Sequence, residues 1–561
     1  MSGVPIFERN MLAISSTHGQ LASERVLANQ PSTRIGFEES RSGRLVPFAV
    51  DGAGKSYIHS RMDPEREAQR IAQEFTRTGF YVFFGCGAGY SIAAILDSPK
   101  VSKGIIVEYD AAMLRSILEH IDLTHILSDR RLLLLVEPAD HELTDAILSR
   151  YIPSIDGDLV TVPLRSIVSA RTDQFNQAAE LVRNLTGGIS DDYSVQSFFG
   201  KRWFANIVRN LSSAAGPTPP VGPIREAIIT AAGPSLEDQL DEITASRQGK
   251  FLIATDTSIQ ALHKRGLQPD AAISIDCQHI SYYHFIQGRP VDTPLFVDLA
   301  SPPTVTRMAT RRYFFSSGHP FDRYVASRFR AFPILDTSGG NVTHAAVSLA
   351  EYLGAERIHL YGADFSYPFG KSYARGTYIY PYFDQRQQRL KPQEALFADF
   401  LYRNQSLDRQ CDADGTFRYV TKPLVAYKER LEVLASRSRS LLIRHRGRGV
   451  ETIMRQNAGT TGQQRHFGRV FAAGRPFKQP AIFLADYLDE LAALPEPREP
   501  AATYIDGLTG HQRDIWTTLL PSAAAIRREA GQHPPGPVEL LQLTRLWCAE
   551  TVRQELTHSR G

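Results

Sequence analysis

Between residues 227 and 361 short apolar runs alternate with amphipathic stretches, and most of the runs stop on Gly, Ser or Asp. The runs fall at 227–232, 251–255, 271–276, 294–297, 313–316, 332–335 and 357–361, with helical patterns at 236–246, 258–264 and 343–353. Strands joined through helices at short intervals dictate a mainly parallel sheet covered on both faces. Ligands of such sheets bind beyond the carboxyl ends of the strands. The chain is therefore expected to be an α/β protein whose chemistry sits in the turns that follow its strands.

Those turns share a polar character. The first is Gly233-Pro234-Ser235, followed by Leu236, Glu237 and Asp238. It reads as a strand, a tight turn and a helix start with Ser235 as N-cap, whose unpaired amides and positive dipole end suit a phosphate. Later strand ends bring Asp256, Asp276 after Ser274, and Asp298. Then come Ser317-Gly318-His319, Gly339-Gly340-Asn341 and Gly362-Ala363-Asp364. Any one of these residues is a common helix cap; their recurrence points to one shared polar site.

At 561 residues the chain is too long for one core, and composition divides it into three regions. Residues 1–215 precede a proline-rich connector at 216–223; residues 224–436 carry the alternating pattern; residues 437–561 are helical in pattern. A net charge of +3 gives no reason to expect nucleic-acid binding. No apolar run reaches the ~20 residues of a membrane span, and the start of the chain lacks a signal-peptide pattern. The four cysteines are dispersed, and His279 and His284, five apart, do not suit a metal pair on one helix face. A cytoplasmic protein without a structural metal is expected.

The first region holds a second Rossmann-like pattern. An apolar strand at 79–84 runs into Gly85-Cys86-Gly87-Ala88-Gly89, a helix follows, and the next strand ends on Glu108. Glycines at a strand-to-helix turn with an acid at the second strand tip form a nucleotide or S-adenosylmethionine pattern. The alternative is a scaffold without its ligand, favoured because later strands show no second-substrate motif. Upstream, Asp51-Gly-Ala-Gly-Lys55-Ser56 imitates a P-loop but lacks its first glycine and the following helix, and reads as a β-hairpin turn. The fold expected is thus a central Rossmann-like domain, preceded by another and followed by a helical tail.

The pieces Ala232-Gly-Pro-Ser-Leu236, Gly266-Leu-Gln-Pro-Asp270-Ala-Ala-Ile-Ser-Ile-Asp276, Gly339-Gly-Asn-Val342-Thr-His-Ala-Ala and Leu353-Gly-Ala-Glu-Arg-Ile-His-Leu-Tyr-Gly362-Ala-Asp364 resemble a known domain. It is the one shared by Maf-type motility accessory factors, which are flagellin glycosyltransferases, and the archaeal 6-hydroxymethylpterin diphosphokinase MptE. The stretch from Ile58 to Ala68 is similar to the segment before the Rossmann-like part of Maf-type proteins, so the resemblance covers roughly residues 1–430. The Maf core is in turn similar to sialyltransferases that bind a cytidine-monophosphate sugar.

The resemblance implies that Gly233, Pro234 and Ser235 hold the donor phosphate, and that Asp256 and Asp276 line the nucleotide and sugar pocket with Ser317. Gly339, Gly340 and Asn341 would admit the donor to the backbone, with Asp364 near the reacting centre. Of the strand-end groups that could take the proton of an acceptor hydroxyl, Asp256, Asp276, His319 and Asp364, the first choice is Asp364. Many Maf-type proteins carry a Thr-His pair shortly after the last strand end; here Tyr373 takes the histidine's place between Lys371 and Arg375. Tyrosine, with a pKa near ~10, is a poor base but a usable donor to phosphate. The tyrosine-rich stretch 373–383 reads as a lid, an acceptor-docking loop, or a loop packed by its own aromatics.

The function implied is transfer of a nonulosonic sugar from a CMP-activated donor to flagellin or a similar surface protein, with no obligatory cofactor. The alternatives are an ATP- and Mg2+-dependent diphosphokinase acting on a pterin-like alcohol, and a non-catalytic flagellin-binding chaperone.

Overall fold

A computed structural model describes residues 4–51, 54–286, 292–403, 406–412, 415–455 and 468–558. The chain forms two compact units. The first comprises Met1–Gly200, Leu494–Trp516 and Leu520–Leu546, and the second Lys201–Ala493, Thr517–Leu519 and Trp547–Gly561. The C-terminal residues are therefore divided between the two. Among the described residues no helix is long and apolar enough to cross a membrane.

In the first unit, strands β1 (Ile35–Glu39), β2 (Leu45–Asp51) and β3 (Gly54–Tyr57) make an antiparallel meander. Asp51 pairs with Gly54, so the P-loop look-alike is a hairpin. Strands β4 (Gly79–Phe84), β5 (Val101–Glu108), β6 (Leu132–Val136) and β7 (Asp158–Pro163) form a parallel sheet in the order β6-β5-β4-β7. The apolar run of β4 is buried on both faces. Tyr81 and Phe83 face one core, and Phe80, Val82 and Phe84 face the other, as a central parallel strand requires.

The second unit is built on a parallel sheet of seven strands. These are β8 (Glu226–Thr230), β9 (Phe251–Thr255), β10 (Ala271–Ser274), β11 (Leu295–Asp298), β12 (Arg312–Phe315), β13 (Arg357–Tyr361) and β17 (Leu441–Arg444). A small antiparallel sheet of β14 (Tyr367–Pro368), β15 (Asp408–Cys411) and β16 (Phe417–Val420) follows the last strand end. The large sheet runs β12-β11-β10-β9-β8-β13-β17. The chain steps outward from β8 to β12, then returns to the other side of β8, which makes the β8/β13 boundary the topological switch point.

Two expectations need correction. The run at 332–335 is not a strand; only Ile334 bridges to Ser316, because Pro333 has no N–H for a ladder and the polar turn from Asp336 ends the run. The region after residue 437 is not purely helical, since β17 completes the sheet beside β13.

Candidate functional site

At the switch point the Gly-Pro-Ser turn is occupied by the protein itself. The Ser235 N–H donates to Asp364 Oδ2 at 2.8 Å. The Gly233 N–H is taken by Gly362, and those of Leu236, Glu237 and Asp238 by Gly233, Pro234 and Ser235. Pro234 has no N–H to offer. Ser235 has helical backbone angles and makes no side-chain cap, unlike the N-cap expected; its Oγ instead accepts the Arg448 N–H at 2.7 Å.

Residues 445–450 lie across this turn. A Cβ on Gly447 would stand 2.3 Å from Ser235 Oγ, and one on Gly449 would stand 2.3 Å from the Asp364 backbone. Gln239 donates to the carbonyls of His445 and Arg446, and Arg448 pairs with Asp238 at 2.6 Å. Asp364 is 3% exposed, and burial pushes its carboxyl up. The turn expected to cradle a phosphate thus cradles a carboxylate of its own.

One strand over, a different group converges. Asp256, fully buried at the end of β9, accepts from Thr257 (N–H 2.7 Å, Oγ1 3.0 Å) and from Ser274 Oγ (2.7 Å). His284 Nδ1 lies 3.4 Å from Asp256 Oδ2. Burial works to raise the Asp256 pKa, but His284 and these hydrogen bonds outweigh it and hold the carboxyl below its ordinary range. Tyr378 lies against the His284 ring at 4.3 Å. Gln260 fixes the short helix Tyr283–Ile286 by donating to the carbonyls of Tyr283 and His284 at 2.8 and 3.0 Å.

Asp276 ends β10 close by, half-buried, its carboxyl raised by burial and by the Asp256 charge while it accepts the Gln278 N–H. Burial also raises Tyr373, with Tyr378, Tyr367 and Asp256 adding to it, so its hydroxyl stays protonated. The carboxyl tips are held in place from outside the sheet. Asn206 donates to the carbonyls of Cys277 and Ala300, and Asn210 to those of Leu299 and Ser301.

The remaining expected residues disperse around this centre. Lys371 is paired with Glu237 at 2.5 Å, and Glu237 also accepts the N–H of the exposed Arg375. His319 stacks on Trp203 at 4.0 Å. The Ser317 N–H donates to Asp322; burial lifts Asp322, and likewise Asp298, to about 6. Asn341 Oδ1 caps the helix Val342–Tyr352 and bonds His344 Nδ1 at 2.7 Å. Gly339 is moulded to the His344 ring, and Gly340, at φ 79°, sits against Tyr427 and Arg430. The tyrosine-rich stretch is packed by its own aromatics, with Tyr378, Ile379 and Phe383 at its core.

The glycine loop of the first unit is likewise filled. Cβ atoms on Gly85, Gly87 and Gly89 would meet Ile167, His59 and Ile126 at 2.9, 2.6 and 2.5 Å. Glu108 is fully buried and accepts the N–H groups of Cys86, Tyr109 and Asp110; burial raises it to about 7. The Ala88 N–H goes to His59 Nε2 at 2.9 Å.

His284 escaped sequence reasoning, since spacing weighed it only as a metal ligand. Asn206 and Asn210 escaped too, though two Asn four apart on an otherwise apolar helix face were a signal. Among the described residues no group of three or more His, Cys, Asp and Glu is placed to hold a metal ion.

A Rossmann-like sheet with a polar site beyond its strand ends defines the class of protein. Residues 201–370 match the family model described as 6-hydroxymethylpterin diphosphokinase MptE-like. Two uncharacterized proteins of Treponema pallidum (strain Nichols) are similar in part. One is 41% identical over 160 residues, 28% of this chain and 56% of the relative; the other is 36% identical over 165 residues, 29% of this chain and 79% of the relative. The match thus spans little more than half the length of the first. The chain belongs to the MptE-like family. Its fold is that of the solved MAf glycosyltransferase from Magnetospirillum magneticum AMB-1, with a TM-score of 0.56 and 14% identity over 98% of this chain and 90% of that one.

Proposed function

We propose that this protein is a cytoplasmic glycosyltransferase that moves a sugar, a nonulosonic acid in the leading reading, from a CMP-activated donor to a hydroxyl of flagellin or a similar surface protein. The observation that carries the reading is the Asp256–His284 pair at the carboxyl edge of the sheet. An ionised, fully buried carboxylate beside an imidazole fixes the ring and stabilises the positive charge that develops on it when it takes a proton in the reaction. The 3.4 Å separation is an ion-pair distance, of the kind that tightens when substrate arrives.

In this scheme His284 accepts the proton of the acceptor hydroxyl as that oxygen attacks the anomeric carbon. The bond from that carbon to the phosphate oxygen breaks, and CMP leaves with the electron pair. Tyr373, kept protonated, donates to the departing phosphate, and the helix start at Val342 beside Arg430 adds positive potential. Asp364 serves instead to lock the Gly-Pro-Ser turn. Release of CMP from a CMP-sugar, with and without protein acceptor, tests the reading. No release, together with AMP formation from ATP, Mg2+ and hydroxymethylpterin, would replace transfer by diphosphokinase chemistry.

A further inference from the structure

A cavity of about 1430 Å³ opens in the second unit between Ser316–Gly318, the Gly339 loop and the helix Lys422–Arg437. It exceeds the roughly 300–1,000 Å³ of ordinary small-molecule sites. Five arginines surround it: Arg323, Arg430, Arg437, Arg439 and Arg469. None forms an ion pair with a described residue. The acids in the same lining are Asp336, Glu351 and Glu429, so the lining keeps an excess of positive charge. Its lining also presents apolar side chains to solvent, Ile334 at 67% exposure and Val433 at 48%.

We propose that this groove docks an extended acidic segment of a partner polypeptide, with apolar residues between its acids. Arg430 and Arg437, two turns apart along one helix, present their charges as a row and not as the single cluster that one phosphate or carboxylate would need. Arg430 and Arg437 are seven residues apart on one helix, about 10 Å along its axis. Three residues of a segment in the extended polyproline-II conformation cover nearly the same distance at ~3.1 Å each and bring every third side chain back to one face, so acids at every third position meet successive guanidinium groups. The exposed pair Ile334 and Val433 receives the side chains between them. A nucleic acid would need aromatic faces for stacking; the lining tyrosine, Tyr352, is already covered by Arg469 at 5.7 Å.

The groove reaches Ser317 and Gly339 at the carboxyl edge, so under the transfer reading it seats the acceptor, but peptide binding stands independently of that chemistry. The test is fluorescence anisotropy of the full chain with a short labelled peptide carrying Glu at every third position and Leu and Ser between, against the same peptide with Lys for Glu. The Glu peptide binds and the Lys peptide does not, and binding weakens as salt screens the charges. Reversal of two exposed arginines, Arg437→Glu with Arg439→Glu, weakens binding about tenfold or more; Ile334→Ser, on a different segment of the lining, weakens it separately. CMP-sugar hydrolysis by the Arg437→Glu/Arg439→Glu protein stays at the parent level, separating failure of docking from failure of the transfer proposal. The inference falls if the Glu peptide does not bind, if both peptides bind alike, if the variants bind it as the parent does, or if pyrophosphate displaces it at equal concentration.

Discussion

Asp256 and Asp298 end two strands of one sheet, yet their surroundings drive their protons in opposite directions. His284, Ser274 and Thr257 keep Asp256 charged, whereas burial leaves Asp298 near 6 with the Ala300 N–H as a partner. If the Asp256–His284 pair carries the proton transfer, His284→Ala lowers CMP-sugar turnover by roughly 10²–10⁴. Asp256→Asn lowers it comparably, and the double variant little further, as expected of residues acting as a unit. Full turnover by His284→Ala would remove the pair from the mechanism. For Asp298 the sign runs the other way. A carboxyl raised in the folded state stabilises below about pH 4 and loses that contribution as pH climbs through 6, a difference of roughly 3 kcal/mol at most. Asp298→Asn therefore gains melting temperature over the parent at pH 7 and little at pH 4. The strand-tip acids were legible in the sequence because strand ends follow from local pattern. His284 was not, because its place depends on Gln260 and Asp256, each from another element.

At the scale of elements, the segment 445–450 explains why the Gly-Pro-Ser turn presents no amide to a ligand. Gly447 and Gly449 are needed there for close approach. Gly447→Ala and Gly449→Ala each push a methyl into backbone or into Ser235, with an expected cost of about 1–3 kcal/mol in urea unfolding. Ser235→Ala, which removes one acceptor for Arg448, costs nearer ~1 kcal/mol. In the first unit Glu108→Gln exchanges a carboxylate accepting three N–H groups for an amide that cannot accept at both ends. That unit should lose about 1–3 kcal/mol, read from its own tryptophan, Trp516, which is fully buried. Strands and helices were visible in the sequence because their periodicity is written in consecutive residues. The segment over the turn was not, because Arg446-Gly-Arg-Gly449 reads locally like any polar loop.

Across the whole molecule, buried bases and buried acids oppose each other. Burial lowers His18, His59 and His344 to about 4. Their unfolded forms then bind more protons below pH 6.5, so this contribution is full above 6.5 and lost as pH falls through 4. Glu108, Asp298 and Asp322 change in the reverse sense over nearly the same window. Melting temperature should accordingly vary little between about pH 4 and 6.5, and His344→Leu should make it rise on acidification, a slope that differential scanning fluorimetry reads directly. Composition divided the chain into three regions, while its contacts gather it into two units, with residues 494–561 divided between them.

Ser235 and Arg448 are 213 residues apart, and both β13 and β17 are made long after β8. A ribosome must therefore release the first strand of the large sheet with one edge bare and its turn uncovered. The edge of β8 waits for β13 and the edge of β13 for β17, while the turn stays open until residues 445–450 have emerged. Nascent chains halted before residue 440 should accordingly recruit chaperones, while those extended past 450 should not.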